Sequence, residues 1–314
     1  MRVTVAVVSW NTRQLLLRCL GSLADEVHAG RADVWVLDNA STDGSASAAR
    51  IHAPWAQVIE AGANLGFGRA VNVVAAQTRS QWILVANADV ALQPGALDAL
   101  LASGADARVG CVAPRLVLPG GATQHSVHPF PTVPLTLAFN LGMHRLSARI
   151  ADRLCLEGFW DPERARLVPW AIGACLLVRR ATFEAVGGFD EQQWMYAEDL
   201  DLAWRMGQLD WTTRYEPRAL VCHESSAATR AAFGDQQMSR FLGATYAMLL
   251  RRRGALRMWS TAAINIVGAG CRVAWMTPLA LLCRRWRAPS ADNRRWLKAH
   301  LQALRSSSTL GDPR

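Results

Sequence analysis

The segment Trp194-Met195-Tyr196-Ala197-Glu198-Asp199-Leu200-Asp201-Leu202-Ala203-Trp204-Arg205 places three carboxylates within four residues, at the start of an amphipathic pattern. Ordinary helix physics accounts for Asp201, which can pair with Arg205 one turn later, and acids suit the positive end of a helix dipole. It accounts less well for the adjacent Glu198 and Asp199, preceded by Trp194 and Tyr196, whose rings can wall a sugar pocket. A carboxylate beside a sugar can take the proton of an attacking hydroxyl, as the base of an inverting glycosidase does with water.

Other candidate chemistry follows short apolar runs. Asp38-Asn39-Ala40-Ser41-Thr42-Asp43-Gly44 offers two carboxylates, an amide and two hydroxyls in seven residues. Asp38, directly at a strand end, can accept hydrogen bonds from a nucleobase or ribose, whereas Asp43 and Ser45 are equally explained as caps of the next helix. Asn64-Leu65-Gly66-Phe67-Gly68, with Asn72 beyond, sets glycines before a helix N-terminus, where free N–H groups attract anions. It is neither a Walker A sequence nor a dinucleotide fingerprint, and a tight turn packing a helix on a sheet would use the same residues. Asp89 in Asn87-Ala88-Asp89 is a candidate ligand for Mg²⁺ or Mn²⁺, which bind through one or two carboxylates plus phosphate oxygens. The plain alternative is an Asx turn. His223, after the apolar run Ala219 to Cys222, reads as a structural histidine unless a metal site has independent support.

The elements that must position these residues follow from periodicity. Strands are expected at Val3 to Val8, Val34 to Leu37, Gln57 to Glu60 and Trp82 to Ala86. Helices are expected at Arg13 to Leu23, Ser45 to Ile51 and Gly68 to Gln77, with another beginning at Pro94. The alternation implies an α/β fold with a mostly parallel central sheet flanked by helices. Ligands bind such sheets beyond the carboxyl ends of the strands, so Ser9 and Asn11, Asp38 and Asn39, Asn64 to Phe67, and Asn87 to Asp89 should share one edge. Residues 129 to 166 read as a variable region covering the site. Strand character returns from Leu167 to Val178, and Gly187-Gly188-Phe189-Asp190 makes a turn before the acidic helix.

The 314 residues are 51% hydrophobic, enough for one large core with an appended unit. The expected division is a main domain at 1–235, a helical extension at 236–305 and a disordered tail at 306–314. The net charge of +9 is almost all arginine, with clusters at 251–253, 284–287 and 294–295 flanking apolar stretches. This suits an anionic membrane surface, and no base-reading or stacking motif supports a nucleic-acid partner. Ala262 to Cys283 is long enough to span a bilayer, but Asn265, Arg272 and Pro278 favour lying on the surface. Seven scattered cysteines without a C-x-x-C pair indicate neither a disulfide framework nor a zinc ribbon, and fit the cytoplasm. The N-terminal apolar run stops at Ser9 without a cleavage site and reads as a strand, not a signal peptide.

Taken in order, the motifs resemble the family 2 inverting glycosyltransferases, particularly the bacterial rhamnosyltransferase-like branch. The resemblance rests on Val8-Ser9-Trp10-Asn11, Asp38 to Ser45, Asn64-Leu65-Gly66-Phe67 with Asn72, Asn87-Ala88-Asp89-Val90, Gly173 to Arg180, Gly188-Phe189-Asp190-Glu191, Glu198-Asp199-Leu200-Asp201 and His223. It implies the GT-A fold, a nucleotide-diphosphate sugar donor such as dTDP-rhamnose, and a divalent metal bridging the donor phosphates. On this likeness the donor lies against Ser9, Asn11, Asp38, Asn39, Asn64, Gly66, Phe67, Asn72 and Asn87. Asp89 and His223 serve the metal, Asp199 is the general base with Glu198 beside it, and Trp194, Tyr196 and Gly173 line the acceptor pocket. The acceptor expected is lipid-linked or a polysaccharide, at the cytoplasmic face of the inner membrane. The family often carries Asn-Pro-Asp or Asp-x-Asp where this chain has Asn87-Ala88-Asp89, which leaves one outer carboxylate and no proline to shape the turn. The competing readings are nucleotidyltransfer on a related fold and a non-catalytic sugar-nucleotide-binding membrane scaffold.

Overall fold

A computed structural model describes residues 2–224 and 234–306. The chain divides into two compact units, Met1–Pro129 with Cys155–Ala232, and Phe130–Leu154 with Phe233–Arg314. The expected linear division near residue 235 is thus replaced by an interleaved one, because 130–154 packs with the C-terminal helices. The last helix runs through Ser306, and the rest of the expected tail lies outside the described residues.

The first unit begins with β1 (Val3–Ser9), α1 (Arg13–His28), β2 (Ala32–Asp38), α2 (Ser45–His52), β3 (Gln57–Glu60), α3 (Phe67–Gln77) and β4 (Trp82–Asn87). It continues with β5 (Val90–Leu92), α4 (Ala96–Ser103), β6 (Val109–Val117) and β7 (Val127–His128). Between β7 and the next strand lie α5 (Val133–Asn140) and α6 (Ala148–Arg153), which belong to the second unit. Then come β8 (Arg166–Val168), β9 (Trp170–Ala171), β10 (Cys175–Arg179), α7 (Arg180–Ala185), α8 (Glu198–Gln208) and β11 (Thr212–His223). The second unit closes with α9 (Gln237–Arg253), α10 (Ala255–Leu282) and α11 (Arg287–Ser306).

Eight strands run in the order β3-β2-β1-β4-β10-β6-β11-β5, with β8 paired to β11, and β7 and β9 form a separate pair. The sheet is parallel from β3 to β4, as the N-terminal alternation implies, and mixed beyond, since β10 runs against both β4 and β6. The difference arises because β10 enters from the edge where the parallel strands end, without a preceding crossover helix. Pro94 lies in a turn, and Gly95, in the left-handed region at φ 80°, is the residue before α4.

Burial on both faces explains the apolar run Val5 to Val8 in β1. Val3, Val5 and Val7 pack in the cluster with Leu16, Leu20 and Leu23 of α1, while Ala6 faces the cluster of Val71 and Val74 from α3, Phe183, Leu202 and Met206. Each of these valine, leucine, phenylalanine and methionine side chains contributes about 1.5–3 kcal/mol on leaving water.

The two arginines after Val178 fasten β10 to its surroundings. Arg179 donates to the carbonyls of Gly104 at 2.6 Å and Val109 at 3.0 Å and stacks over the Trp82 ring at 4.4 Å. Buried Arg180 donates to the carbonyls of Ser80 and Ala75 and to the Thr78 hydroxyl. Arg180→Met should therefore lower unfolding free energy by about 3 kcal/mol, since it orphans buried acceptors. Urea unfolding measures the loss, with nucleotide-sugar affinity of the folded fraction unchanged.

Candidate active site

In-register pairing brings the strand ends level. Ser9 lies beside Asp38 on one side, and Val8 lies beside Asn87 on the other. β10 begins at the same edge, with Cys175 opposite Ala86 and the Ala174 carbonyl accepting from Asn87 N at 2.9 Å. At ordinary strand spacing this row runs about 14 Å from Asp38 to Ala174.

The loops along the row are built from one another. Asn11 sits at φ 52°, and its Oδ1 accepts from Thr42 N at 2.8 Å while its own N–H donates to Ser41 Oγ at 2.9 Å. Ser9 Oγ lies 3.2 Å from Thr12 Oγ1. Asp43 accepts from the backbone of both Arg13 and Ser45, so it caps two helix starts, the plainer of its two readings. Asn39 accepts from Leu65 N at 3.2 Å and donates to Gly66 O at 3.3 Å, and Asn64 Oδ1 accepts from Gly66 N at 3.0 Å. Asn72 clamps both the N–H and the carbonyl of Phe189, each at 2.9 Å. In Asn39 and Asn72 both the oxygen and the nitrogen of the amide bond loop backbone, which shapes the loops along the row where the donor is expected. Phe67 stacks edge-on against Phe189, which extends that clamp.

Asp38 differs from these residues. It is 2% exposed, and one oxygen accepts from Ser41 N at 2.9 Å. The other, Oδ1, is buried without a hydrogen-bond partner among the described residues. Such an oxygen costs about 1–3 kcal/mol until a donor reaches it, which a base or ribose can supply.

Asp89 and His223 meet because β5 turns back against the end of β11, with Val90 opposite His223 and Glu224 N donating to the Asp89 carbonyl at 3.0 Å. His223 Nε2 is 3.3 Å from Asp89 Oδ1, and that oxygen is buried without a hydrogen bond among the described residues. On the far side of the ring, Nδ1 lies 2.7 Å from Gln124 Oε1. An amide oxygen accepts only, so Gln124 selects the tautomer with hydrogen on Nδ1 and leaves Nε2 facing the carboxylate. Two converging donors of this kind fit a divalent cation completed by phosphate oxygens. They line a cavity of about 220 Å³ with Leu15, Arg18 and Glu224, where Arg18 pairs with Glu224 at 2.7 Å. Gln124 and Arg18 escaped the sequence reading, because neither stands in a spacing that marks function.

Asp199 reaches the same edge from the other direction. Tyr196 at φ 64° and Ala197 at φ 59° take consecutive left-handed conformations just before α8, a strained kink that the Gln193 amide supports at the Tyr196 carbonyl. The Asp199 carboxylate accepts from Gly173 N at 2.7 Å and from Leu200 N at 2.7 Å. Burial pushes its carboxyl above the ordinary range, and those two N–H groups oppose the rise. Glu198 is pushed up as well, first by burial and then by the Asp199 charge, and its Oε2 is buried without a partner among the described residues. The pair therefore releases its protons in two separate steps. Asp201 is wholly buried and bonded to Arg205 Nε at 2.7 Å, the structural part expected of it. Trp194 donates from its indole to the Asn64 carbonyl at 3.3 Å, which ties the carboxylate loop to the glycine loop.

Gly66 is where these two loops touch. A Cβ there would lie 2.0 Å from the Trp194 carbonyl oxygen, and its backbone, at φ 80° and ψ 175°, is open only to glycine. Gly66→Ala should therefore cost about 3 kcal/mol or more. Gly173→Ala, whose Cβ would meet Asp199 no closer than 3.4 Å, should cost under about 1 kcal/mol. Thermal melts of the two variants separate these outcomes.

Residues 4–153 match the family described as Glycosyl transferase family 2, and residues 146–290 match Glycosyl transferase family group 2. The chain is 36% identical over 241 residues to the N-acetylglucosaminyl-diphospho-decaprenol L-rhamnosyltransferase of Mycobacterium tuberculosis, covering 72% of this chain and 76% of that one. It is 28% identical over 131 residues to the rhamnosyltransferase WbbL of Escherichia coli, covering 41% and 46%. Among solved structures, the mannosyltransferase PcManGT of Pyrobaculum calidifontis, in complex with GDP-Man and Mn²⁺, superposes with a TM-score of 0.61 at 18% identity, over 96% of this chain and 87% of that one. That likeness establishes a GT-A fold.

Proposed function

Because the chain belongs to the family 2 glycosyltransferases, in their rhamnosyltransferase-like branch, and is an enzyme acting on nucleotide sugars, we propose that it transfers L-rhamnose from a dTDP donor to a polyprenyl-diphosphate-linked sugar. Membership in the family sets aside the nucleotidyltransferase and scaffold readings. The acceptor class follows the mycobacterial relative, which acts on a decaprenol-linked N-acetylglucosamine by its name. The observation that carries the chemistry is the Gly173–Asp199 hydrogen bond, which holds a carboxylate with a raised pKa at the edge shared by Asp38 and Asp89.

In this reading Asp38 Oδ1 accepts from the base or ribose. Asp89 and His223 Nε2 would hold a divalent cation, with Gln124 fixing the imidazole, and the bound ion would neutralise charge on the departing diphosphate. Asp199 takes the acceptor hydroxyl proton as the oxygen bonds to the anomeric carbon and the bond to the diphosphate oxygen breaks, which inverts that centre. Burial raises both carboxyls, and the Asp199 charge raises Glu198 further, so ionisation of one disfavours ionisation of the other at the reacting face.

The location proposed is the cytoplasmic face of the inner membrane, bound peripherally. α10 is the one helix among the described residues with the length and hydropathy to cross a bilayer, and 11% of its most apolar window is buried. Its Arg272 is engaged within the unit, donating to Asn293 Oδ1 at 2.8 Å and Asn140 Oδ1 at 3.0 Å, which supports a helix lying along a surface over one that crosses.

Asp199→Asn keeps an acceptor for Gly173 N but cannot take a proton, so kcat should fall by about 10²–10⁴-fold with donor affinity retained. Release of nucleoside diphosphate and donor titration read the two separately. In the wild type, Asp199 must be ionised to act. kcat should therefore rise with pH through a step above the usual aspartate range near 3.9, with no loss of fold across that step. Asp89→Ala should weaken Mn²⁺ binding by about 10-fold or more in an electron-paramagnetic titration, whether or not acceptor is present.

A further inference from the structure

We propose that residues 130–154 and α10 form one continuous face that contacts an anionic lipid bilayer, so that the anchor includes an internal insertion as well as the C-terminal helices. The proposal rests on the peripheral-membrane reading and names the surface that serves it. The insertion leaves the catalytic unit after Pro129 and rejoins it at Cys155.

Its attachment is specific. Asn140, at the end of α5, donates to Asn265 Oδ1 at 2.9 Å and accepts from Arg272 at 3.0 Å, both on α10. The Asn140 side chain lies directly over Gly268, where a Cβ would come within 2.1 Å of its Oδ1. This polar seat fixes α5 on one side of α10 and leaves the apolar side chains of the insertion outward. Leu137, Phe139, Leu141, Met143, Leu146 and Ile150 are between 46% and 82% exposed, and no residue of α5 is buried. α10 adds Leu281 at 79% and Leu282 at 85%. A soluble monomer seldom leaves so many large apolar side chains together in water.

Charge selects the occupant. The insertion carries Arg145, Arg149 and Arg153 against a single acid, Asp152, and residues 255–282 contain Arg257 and Arg272 with no acid. Arginines interleaved with exposed leucines suit acyl chains beneath anionic headgroups. A second copy of the chain would cover the same leucines but would set arginine against arginine. Trp275 and Trp286, edge-on at 5.2 Å beside the arginine cluster at 284–287, are the ring type that settles at the headgroup level.

The test uses full-length protein sedimented with vesicles of mixed phosphatidylglycerol and phosphatidylcholine, or of phosphatidylcholine alone. The wild type should bind the anionic vesicles. The double variant Leu141→Glu/Leu146→Glu should bind about 10-fold more weakly or worse. The matched control Ile51→Glu/Leu167→Glu, altered at exposed sites of the catalytic unit, should bind as the wild type does. Circular dichroism and release of nucleoside diphosphate should be alike in all three. A single Leu146→Trp variant should be quenched by lipids brominated in their acyl chains to a greater extent than the wild type, whose own tryptophans set the baseline. If the wild type does not bind, the peripheral reading itself fails. If the wild type binds and the double variant binds equally, or the new tryptophan adds no quenching, α10 acts without the insertion and the proposal is overturned. A dimer in vesicle-free solution that the double variant dissolves would instead assign the face to a second copy.

Discussion

The bond from the Gly173 N–H to the Asp199 carboxylate joins two parts of the chain that the sheet alone would not bring together. Gly173 lies in the turn just before β10, whose pairing with β4 begins at Cys175, and Asp199 belongs to a helix that reaches the edge from outside. Everything around the bond serves its geometry. Tyr196 and Ala197 take left-handed backbones to aim the helix start, Trp194 anchors the loop on Asn64 and Gly66, and Asn72 holds the turn at Phe189. Without it, the carboxylate would lose its tie to the row and one of the two N–H groups that favour its ionised form while buried.

Some charged side chains of the catalytic unit serve the scaffold through their hydrogen bonds. Asp43, Arg180 and Glu216 are saturated with partners; Glu216, for example, is held well below the usual range by Arg218 and Ser103. Asp38 at the end of β2, Asp89 in the turn after β4 and Glu198 at the start of α8 each keep a buried oxygen with no hydrogen bond among the described residues. A fold tolerates such oxygens where a ligand completes them, since the cost of the free state becomes part of the binding energy. Carboxylates gathered at one edge also create a field that favours a cation, consistent with donor phosphates arriving together with a metal.

The second unit follows different physics. Its own core is small, made of Leu242, Tyr246, Leu249, Met258, Ala262, Ala299 and Ala303, and a polar network of Asn140, Asn265, Arg272 and Asn293 stitches its helices together. Many of its large apolar side chains face outward among arginines, so its composition serves a surface as well as a core.

Much of this was legible in the sequence because it depends on local periodicity. The first four strands and three helices lie close to where alternation and helical spacing put them, and the carboxyl-edge rule then located Asp38, Asn87 and Asp89. Asp201 was recognisable as a structural partner because helical spacing places Arg205 beside it. What the sequence could not supply were relations between distant residues. The reversal of β10, the spending of Asn39 and Asn72 on loop backbone, the pairing of Gln124 with His223, and the transfer of 130–154 to the helical unit each depend on a partner 26 or more positions away. Residue type and spacing state what a side chain is able to do. Which of its abilities is used depends on the neighbour that tertiary packing brings within hydrogen-bonding distance, and only the folded chain decides that.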